Sequence, residues 1–226
     1  MNWSKAMKTK LYDIDLIEEL AKPEYADLLG EFTERRYARD AYVYLPGHHE
    51  DLVFVVKTGG LRVFLAYGDR EFSLAMLKPG EVFSSHTRAH VLAMEDSTLL
   101  VMPTDRFHHY ISIYPELSRT IVGVLGELLK QTFSIIQSLM FKDASQRITE
   151  FLLNEARTNG RPGPEGVVIR PGLTMEEIAA VVGSSRQTVS SLVNDMIRIG
   201  LLRKEGRGTF AIPDVAKLES FAPCGD

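Results

Sequence analysis

The sequence predicts an α+β protein with a β-roll of jelly-roll type at the N-terminal end, one long helix, and a small winged helical domain at the C-terminal end. Three observations carry this reading. From Glu31 to Met102 short apolar runs alternate with glycine and proline turns. From Pro115 to Phe141 no further proline occurs and apolar residues recur at steps of three and four. Beyond Asp143, capping boxes that open helices recur ahead of a glycine-centred hairpin.

The β elements come first. Leu52–Val56 and Leu61–Ala66 are β-branched-rich runs joined across Lys57-Thr58-Gly59-Gly60, a hairpin signal. Runs at Phe72–Leu77, Val91–Met94 and Leu99–Val101 follow, with Lys78-Pro79-Gly80 and Glu95-Asp96-Ser97 as turns. Proline at position 115 suits the first turn of a helix. One stripe of that helix runs Ile121, Leu125, Leu128, Thr132, Ile135, Leu139; a second runs Val122, Gly126, Leu129, Phe133, Ile136, Met140. Two adjacent stripes are too wide for one neighbour, so the helix is expected to touch its own β-domain on one side and a second copy of itself on the other. Asp143-x-x-Gln146 has the form of a capping box for a helix ending near Asn159-Gly160, and Arg161–Gly166 reads as a loop.

Two further boxes stand ten residues apart, Thr174-x-x-Glu177 and Ser184-x-x-Gln187. The first helix carries Ile178, Ala179 and Val182, Gly183 makes the turn, and the second buries Val189, Leu192, Val193 and Met196. This is a helix-turn-helix pattern. Ser185, Arg186, Gln187, Thr188 and Ser191 are left on the open face, where Arg186 suits a bidentate contact to guanine and Gln187 one to adenine. Leu201–Ile212, centred on Gly206-Arg207-Gly208, reads as a wing whose Arg207 and Lys204 reach phosphates.

Composition bounds the function classes. The chain has 226 residues, 45% hydrophobic and 25% charged, which excludes disordered and collagen-like chains. A single cysteine, Cys224, excludes an intrachain disulfide framework, a CxxC zinc site and a four-cysteine iron-sulfur cluster. No apolar run nears the ~20 residues of a membrane span, and Met1–Lys10 lacks a signal-peptide core, so a cytoplasmic protein with no membrane partner is expected. The net charge is -4, yet Gly183–Phe210 holds five basic residues against two acidic ones, a local basic patch in an acidic protein.

A β-roll, a long dimer helix and a winged helix-turn-helix together resemble the CRP/FNR family of bacterial transcription regulators, with Gly183-Ser-Ser-Arg-Gln-Thr-Val189 similar to its recognition-helix motif. The resemblance implies a homodimer that binds a palindromic double-stranded DNA operator, works with RNA polymerase and is not an enzyme. Its division would be a sensor domain at 1–114, a dimerisation helix at 115–142 and a DNA-binding domain at 143–226. The iron-sulfur sensors of the family need cysteines near the N-terminus, which are missing here. The cyclic-AMP type inserts a phosphate-binding cassette after Pro-Gly-Glu, and Pro79-Gly80-Glu81 leaves only Val82–Arg88 before the next strand.

The haem-dependent carbon-monoxide sensors of the family fit better. Leu61-Arg-Val-Phe-Leu65, Arg70-Glu-Phe-Ser-Leu74, Leu125-Gly126, Leu139-Met-Phe141 followed by Asp143, Gln146-Arg-Ile148 and Gly206-Arg-Gly208 are similar to their segments. That resemblance implies a non-covalent haem b with CO as effector. It places the ferrous iron ligand at His86, the opposite ligand at the amine of Met1, and the distal pocket at Val122, Leu125, Gly126 and Leu129. CO displacing the axial amine would switch on DNA binding. Gly126 in mid-helix costs about 1 kcal/mol relative to alanine, consistent with a flat group approaching the backbone. Such sensors place a cysteine, the ferric ligand, two residues before this histidine; Ser84 stands there, so a cysteine-to-histidine ligand exchange is not expected. His48-His49 is a fallback ligand pair beside a turn, while His90, His108 and His109 read as residues of no special role. Two alternatives remain at this point. One is a family regulator of nitric oxide or a non-haem effector; the other is a cupin-like metalloenzyme built on His48, His49 and His86, although the chain lacks that class's His-x-His with a spaced Glu.

Overall fold

The computed structural model describes residues 15–68 and 70–221. Met1, the expected second ligand, and Cys224 lie outside the described residues. Two compact units are formed. One holds 15–67 and 73–132; the other holds 133–221 together with Gly68 and Arg70–Phe72.

In the first unit, helices α1 (Leu16–Leu20) and α2 (Ala26–Glu31) precede eight strands: β1 (Thr33–Tyr37), β2 (Tyr42–Tyr44), β3 (Leu52–Thr58), β4 (Leu61–Tyr67), β5 (Arg70–Leu77), β6 (Val82–Ser84), β7 (His90–Ala93) and β8 (Ser97–Pro103). They form two four-stranded sheets, ordered β1-β8-β3-β6 and β2-β7-β4-β5. β3 is central to the first, and its buried run Leu52–Val56 packs with Leu61, Val63, Val91 and Leu99 in the core between the sheets. Gly59 supplies the left-handed turn of the β3–β4 hairpin at φ 86°, where an added Cβ would fall 2.3 Å from Ser97 Oγ. Strands β1, β2 and β6 and the N-terminal helices escape a reading based on apolar runs, because Thr33–Tyr37 is largely polar and the other two strands have three residues each.

Helix α3 (Thr104–Ile113) follows β8, and α4 (Pro115–Phe141) is a 27-residue rod of roughly 40 Å. Leu117 and Val124 are buried against the β core, with Ile121 and Leu128 beside them. The inward face therefore combines Ile121 and Leu128 of the first stripe with Val124, which belongs to neither stripe read from the sequence. An α-helix advances 100° per residue, and seven residues from Leu117 close two turns onto Val124. Leu125 turns outward and is 58% exposed, in line with Val122, Leu129, Phe133, Ile136 and Met140.

The second unit contains α5 (Ala144–Asn159), β9 (Arg161–Gly163), β10 (Gly166–Ile169), α6 (Met175–Val182), α7 (Arg186–Arg198), β11 (Arg203–Gly206), β12 (Thr209–Ile212) and α8 (Val215–Phe221). The Asp143 and Thr174 capping boxes both form. Arg161–Gly166, expected as a loop, is a hairpin whose β10 joins the wing in a sheet ordered β11-β12-β10-β9. The valines at 167 and 168 supply the second strand, and Pro162 sits on the edge strand, where its missing N–H costs nothing.

Glu155 of α5 is buried and accepts from Asn159 Nδ2 at 3.3 and 3.2 Å. Burial holds its carboxyl above the usual range. The folded state thus keeps this proton to higher pH than the unfolded chain. Its favourable contribution is complete in acid and is lost as pH rises from the ordinary carboxylate value through the raised one. Glu155→Gln should stabilise the protein by about 1 kcal/mol at pH 8 and change little near pH 4. Melting curves at the two pH values check this, and destabilisation at both would refute it.

Candidate functional site

The N-terminal end of β3 gathers three segments by register. Leu52 pairs with Pro103 of β8, so Asp51 meets Thr104 at the start of α3. Val53 pairs with Ser84 of β6, bringing the β6–β7 connection to the same corner. Ser85 locks that connection from within: its buried Oγ donates to Glu50 O at 2.8 Å and accepts from Leu52 N at 2.8 Å. Ser85→Ala would strand a buried amide and should cost about 1–3 kcal/mol in chemical denaturation. A cost near zero would show that the loop is held elsewhere.

His86 projects from this locked loop with its side chain 61% exposed. Its Nδ1 lies 3.1 Å from Asp51 Oδ1 and 2.5 Å from Ser84 Oγ. The Asp51 carboxyl is held below its usual range, first by the hydrogen bond from Thr104 and then by His86. The carboxylate can only accept, so Nδ1 is the donor of this contact, and in the neutral ring the lone pair falls on Nε2. His48 has the opposite character. Its Nδ1 accepts from Glu50 N at 3.1 Å and its Nε2 donates to Ser85 O at 3.0 Å. Both nitrogens are committed, so this member of the fallback pair is a structural histidine, while His49 beside it is exposed. His90 stacks on Phe64 with 4.9 Å between ring centroids. Among the described residues no group of three His, Cys, Asp or Glu side chains is placed to hold a metal ion. A metalloenzyme centre built on His48, His49 and His86 therefore has no counterpart there.

The residues fit a haem in two respects. Nε2 of His86 is the unprotonated nitrogen that iron requires. On α4, a Cβ built at Gly126 meets nothing within 4 Å, and the apolar side chains of Val122, Leu125 and Leu129 around it are 68%, 58% and 54% exposed. Open space beside an apolar wall suits a flat, largely apolar group.

At the other candidate site, α6 ends on Gly183 in the left-handed conformation, φ 64°. Ser185, rather than Ser184, caps α7: its Oγ accepts from Thr188 N at 3.1 Å and lies 2.8 Å from Thr188 Oγ1. The expected Ser184–Gln187 box is absent because α7 begins at Arg186, which makes Thr188 the third residue of the helix. The correction frees Gln187 from capping. Arg186, Gln187 and Ser191 stand exposed on one side of α7, while Val189, Val193 and Met196 are buried on the other. Arg186 faces Glu176 at 4.0 Å with both side chains mostly exposed, a pairing too weak to sequester it. Arg207 lies in the two-residue turn between β11 and β12, where Gly206 pairs with Thr209 and Gly208 has φ 67°.

One residue holds the start of this domain together. Arg147 of α5 donates from Nε to Val182 O at 2.7 Å, from Nη2 to Gly183 O at 3.2 Å, and from Nη1 to Lys142 O.

A jelly-roll domain, a long helix with an unpartnered apolar face and an exposed polar recognition helix beside a wing define a regulator of the winged helix-turn-helix class. Residues 146–221 match the model of the Crp-like helix-turn-helix domain, and residues 34–114 match that of the cyclic nucleotide-binding domain. The Cyclic AMP receptor protein of Thermus thermophilus is 28% identical over 209 residues, 88% of this chain and 93% of that protein. A mutant of CooA from Carboxydothermus hydrogenoformans is 43% identical, with 95% of this chain and 98% of the other covered and a TM-score of 0.81. The reduced (Fe(II)) CO-sensing protein from R. rubrum is 31% identical, covering 92% and 98%, with a TM-score of 0.55. The chain belongs to the CRP/FNR family of transcription regulators. That family consists of DNA-binding dimers rather than enzymes. Among the described residues no helix is long and apolar enough to cross a membrane.

Proposed function

We propose that this chain is a homodimeric, haem-dependent, carbon-monoxide-responsive regulator, with a sensor domain at 1–114, a dimerisation helix at 115–142 and a DNA-binding domain at 143–226. The observation that carries the reading is His86, held by Asp51 and Ser84 through Nδ1 so that Nε2 is left as a lone-pair donor. Its support from relatives is the 43% and 31% identity to solved proteins described as CooA and as CO-sensing. The match to a cyclic nucleotide-binding domain raises that ligand as a rival. Here the connection from Ser84 to His90 contains no helix, leaving little room for a phosphate-binding cassette.

Haem b, bound without covalent attachment, would supply reversible coordination of an uncharged diatomic gas. The chain supplies the rest. His86 Nε2 would hold the iron, and the amine of Met1 would be its second ligand. Val122, Leu125 and Leu129, with Gly126, would form an apolar wall beside it that suits an uncharged diatomic better than an ion. The outward face of α4, through Phe133, Ile136 and Met140, joins two copies, so a change at the wall reaches both DNA-binding domains. Arg186, Gln187 and Ser191, with Ser185 and Thr188 at the helix start, then meet base edges and phosphates of a palindromic operator, and Arg207 meets the backbone. Two recognition helices must sit about 34 Å apart to enter successive major grooves. Turning such an equilibrium from 1:99 to 99:1 needs about 5.5 kcal/mol of differential binding. A cytoplasmic location and contact with RNA polymerase belong to the same reading.

The test is the absorption spectrum of haem-reconstituted protein, reduced with dithionite, before and after CO. A sharp six-coordinate ferrous spectrum that shifts with CO supports the reading. Failure to take up haem overturns it and leaves a regulator of another effector.

A further inference from the structure

Three arginines of the second unit are tied down by a carboxylate. Arg157 Nη2 donates to Glu219 Oε1 at 2.6 Å, Arg198 Nη2 donates to Asp195 Oδ1 at 2.7 Å, and Arg203 Nη1 donates to Glu165. Arg186, the first residue of α7, differs. Its Nε stands 4.0 Å from Glu176 Oε2, beyond hydrogen-bond reach, with the two side chains 70% and 73% exposed. The capping box of α6 does not use Glu176; it is completed by the next residue, Glu177, whose Oε2 accepts from Thr174 N at 2.6 Å. A carboxylate in a first turn is favoured by the helix dipole wherever it points, and this one points at the recognition helix. We propose that Glu176 is a positioning residue for sequence recognition. When DNA covers the pair, its carboxylate closes on Arg186 Nε, turns Nη1 and Nη2 toward a guanine edge and keeps Arg186 off the phosphates. The proposal rests on the reading of Arg186 as a base contact.

The shape of the guanidinium makes the two contacts compatible. Its N–H groups form a rigid fork, with Nε–H on the side and one N–H each of Nη1 and Nη2 pointing out along the end. A carboxylate at the side leaves the end free, and the end matches O6 and N7 of guanine. A phosphate attracts strongly but carries no sequence, so an untethered arginine on its flexible stem satisfies itself on the backbone of any duplex. Glu176 counters that outcome twice. It holds the guanidinium at Nε, and whenever Arg186 swings away its own charge is left unpaired beside the phosphates and is repelled by them. In water such a pair is weak, and it stands open in the free protein. DNA excludes that water and strengthens the attraction. The arrangement lowers affinity for DNA at large and raises the preference for the operator.

In the experiment the full chain, with haem and CO where it takes them up, first selects its preferred duplex from a library of randomised palindromes. Fluorescence anisotropy then compares that duplex, its single-base variants and a random duplex. The proteins are the wild type, Glu176→Ala, Glu176→Gln, Arg186→Ala and the double variant Glu176→Ala with Arg186→Ala. Glu176→Ala should bind the random duplex more tightly than the wild type and prefer the selected duplex about three- to tenfold less per half-site. The lost discrimination should be confined to the base pair that Arg186 reads. Glu176→Gln, which keeps an acceptor at full reach without the charge, should fall between. In the Arg186→Ala background the change at Glu176 should leave the preference as it was. A Glu176 acting by charge alone would make Ala and Gln equal and raise affinity for every duplex alike, with or without Arg186. A role confined to the helix end would lower the melting temperature and leave base preference unchanged. Either result overturns the proposal. If Arg186→Ala loses selected and random DNA equally, or no sequence is enriched, the reading of Arg186 fails and this proposal with it. If Arg186→Ala is selective while Glu176→Ala changes nothing, the proposal alone fails.

Discussion

His86→Ala should abolish reversible, CO-dependent operator binding while leaving weak, sequence-independent DNA binding in place. The first effect follows because the loop offers no substitute nitrogen. His48 is consumed by its turn and His90 is stacked on Phe64. The second follows because α7 and the wing lie outside the mutated corner and keep their charges. If CO moves the binding-competent fraction from about 1% to about 99%, losing the switch removes a gain of about 100-fold in apparent operator affinity. Fluorescence anisotropy with labelled operator, with and without CO, measures this directly. A CO response equal to the wild type would remove His86 from the mechanism.

The second large effect is expected at Arg186. It stands exposed at the start of α7, and Glu176 at 4.0 Å holds it loosely, so its guanidinium is available for a bidentate contact to guanine. Arg186→Ala should cost about 1–3 kcal/mol per half-site, and up to twice that for a dimer on a palindrome, a loss of tenfold or more for every 1.4 kcal/mol. The loss should be selective, with affinity for random DNA falling far less. Arg207→Ala provides the contrast, because losing a phosphate contact weakens binding to all sequences alike and reduces the salt dependence by about one ion per half-site. Competition binding across single-base operator variants separates the two. Equal losses on operator and random DNA from Arg186→Ala would assign it to the backbone.

Much of this was legible in the residue pattern, and the exceptions are instructive. The long β runs, the rod from Pro115 to Phe141 and the two helices flanking Gly183 rest on local periodicity and caps. The recognition face survived even though the cap moved from Ser184 to Ser185, because burial of Val189, Val193 and Met196 fixes the rotation of α7 whichever serine begins it. The first stripe of α4 divides, with Ile121 and Leu128 packing inward beside Val124 and Leu125 turning outward, because neighbouring apolar positions differ by 100° and composition alone cannot choose between them. His86 could be singled out only by family resemblance. Its partner Asp51 could not be found at all, since Thr104 is 53 residues further along the chain and the three meet solely through the register of β3 with β6 and β8. Met1, on which the second ligand depends, lies outside the described residues.

The three carbonyls held by Arg147 are the negative ends of two helices, α4 at Lys142 and α6 at Val182 and Gly183. A planar guanidinium has fixed angles between its N–H groups, so it works here as a rigid coupling with almost no backlash. Rotation of the last turn of the long helix must then be delivered to the turn ahead of the recognition helix, where a water-filled joint would absorb it. A lysine in the same place would keep the charge and lose the gearing.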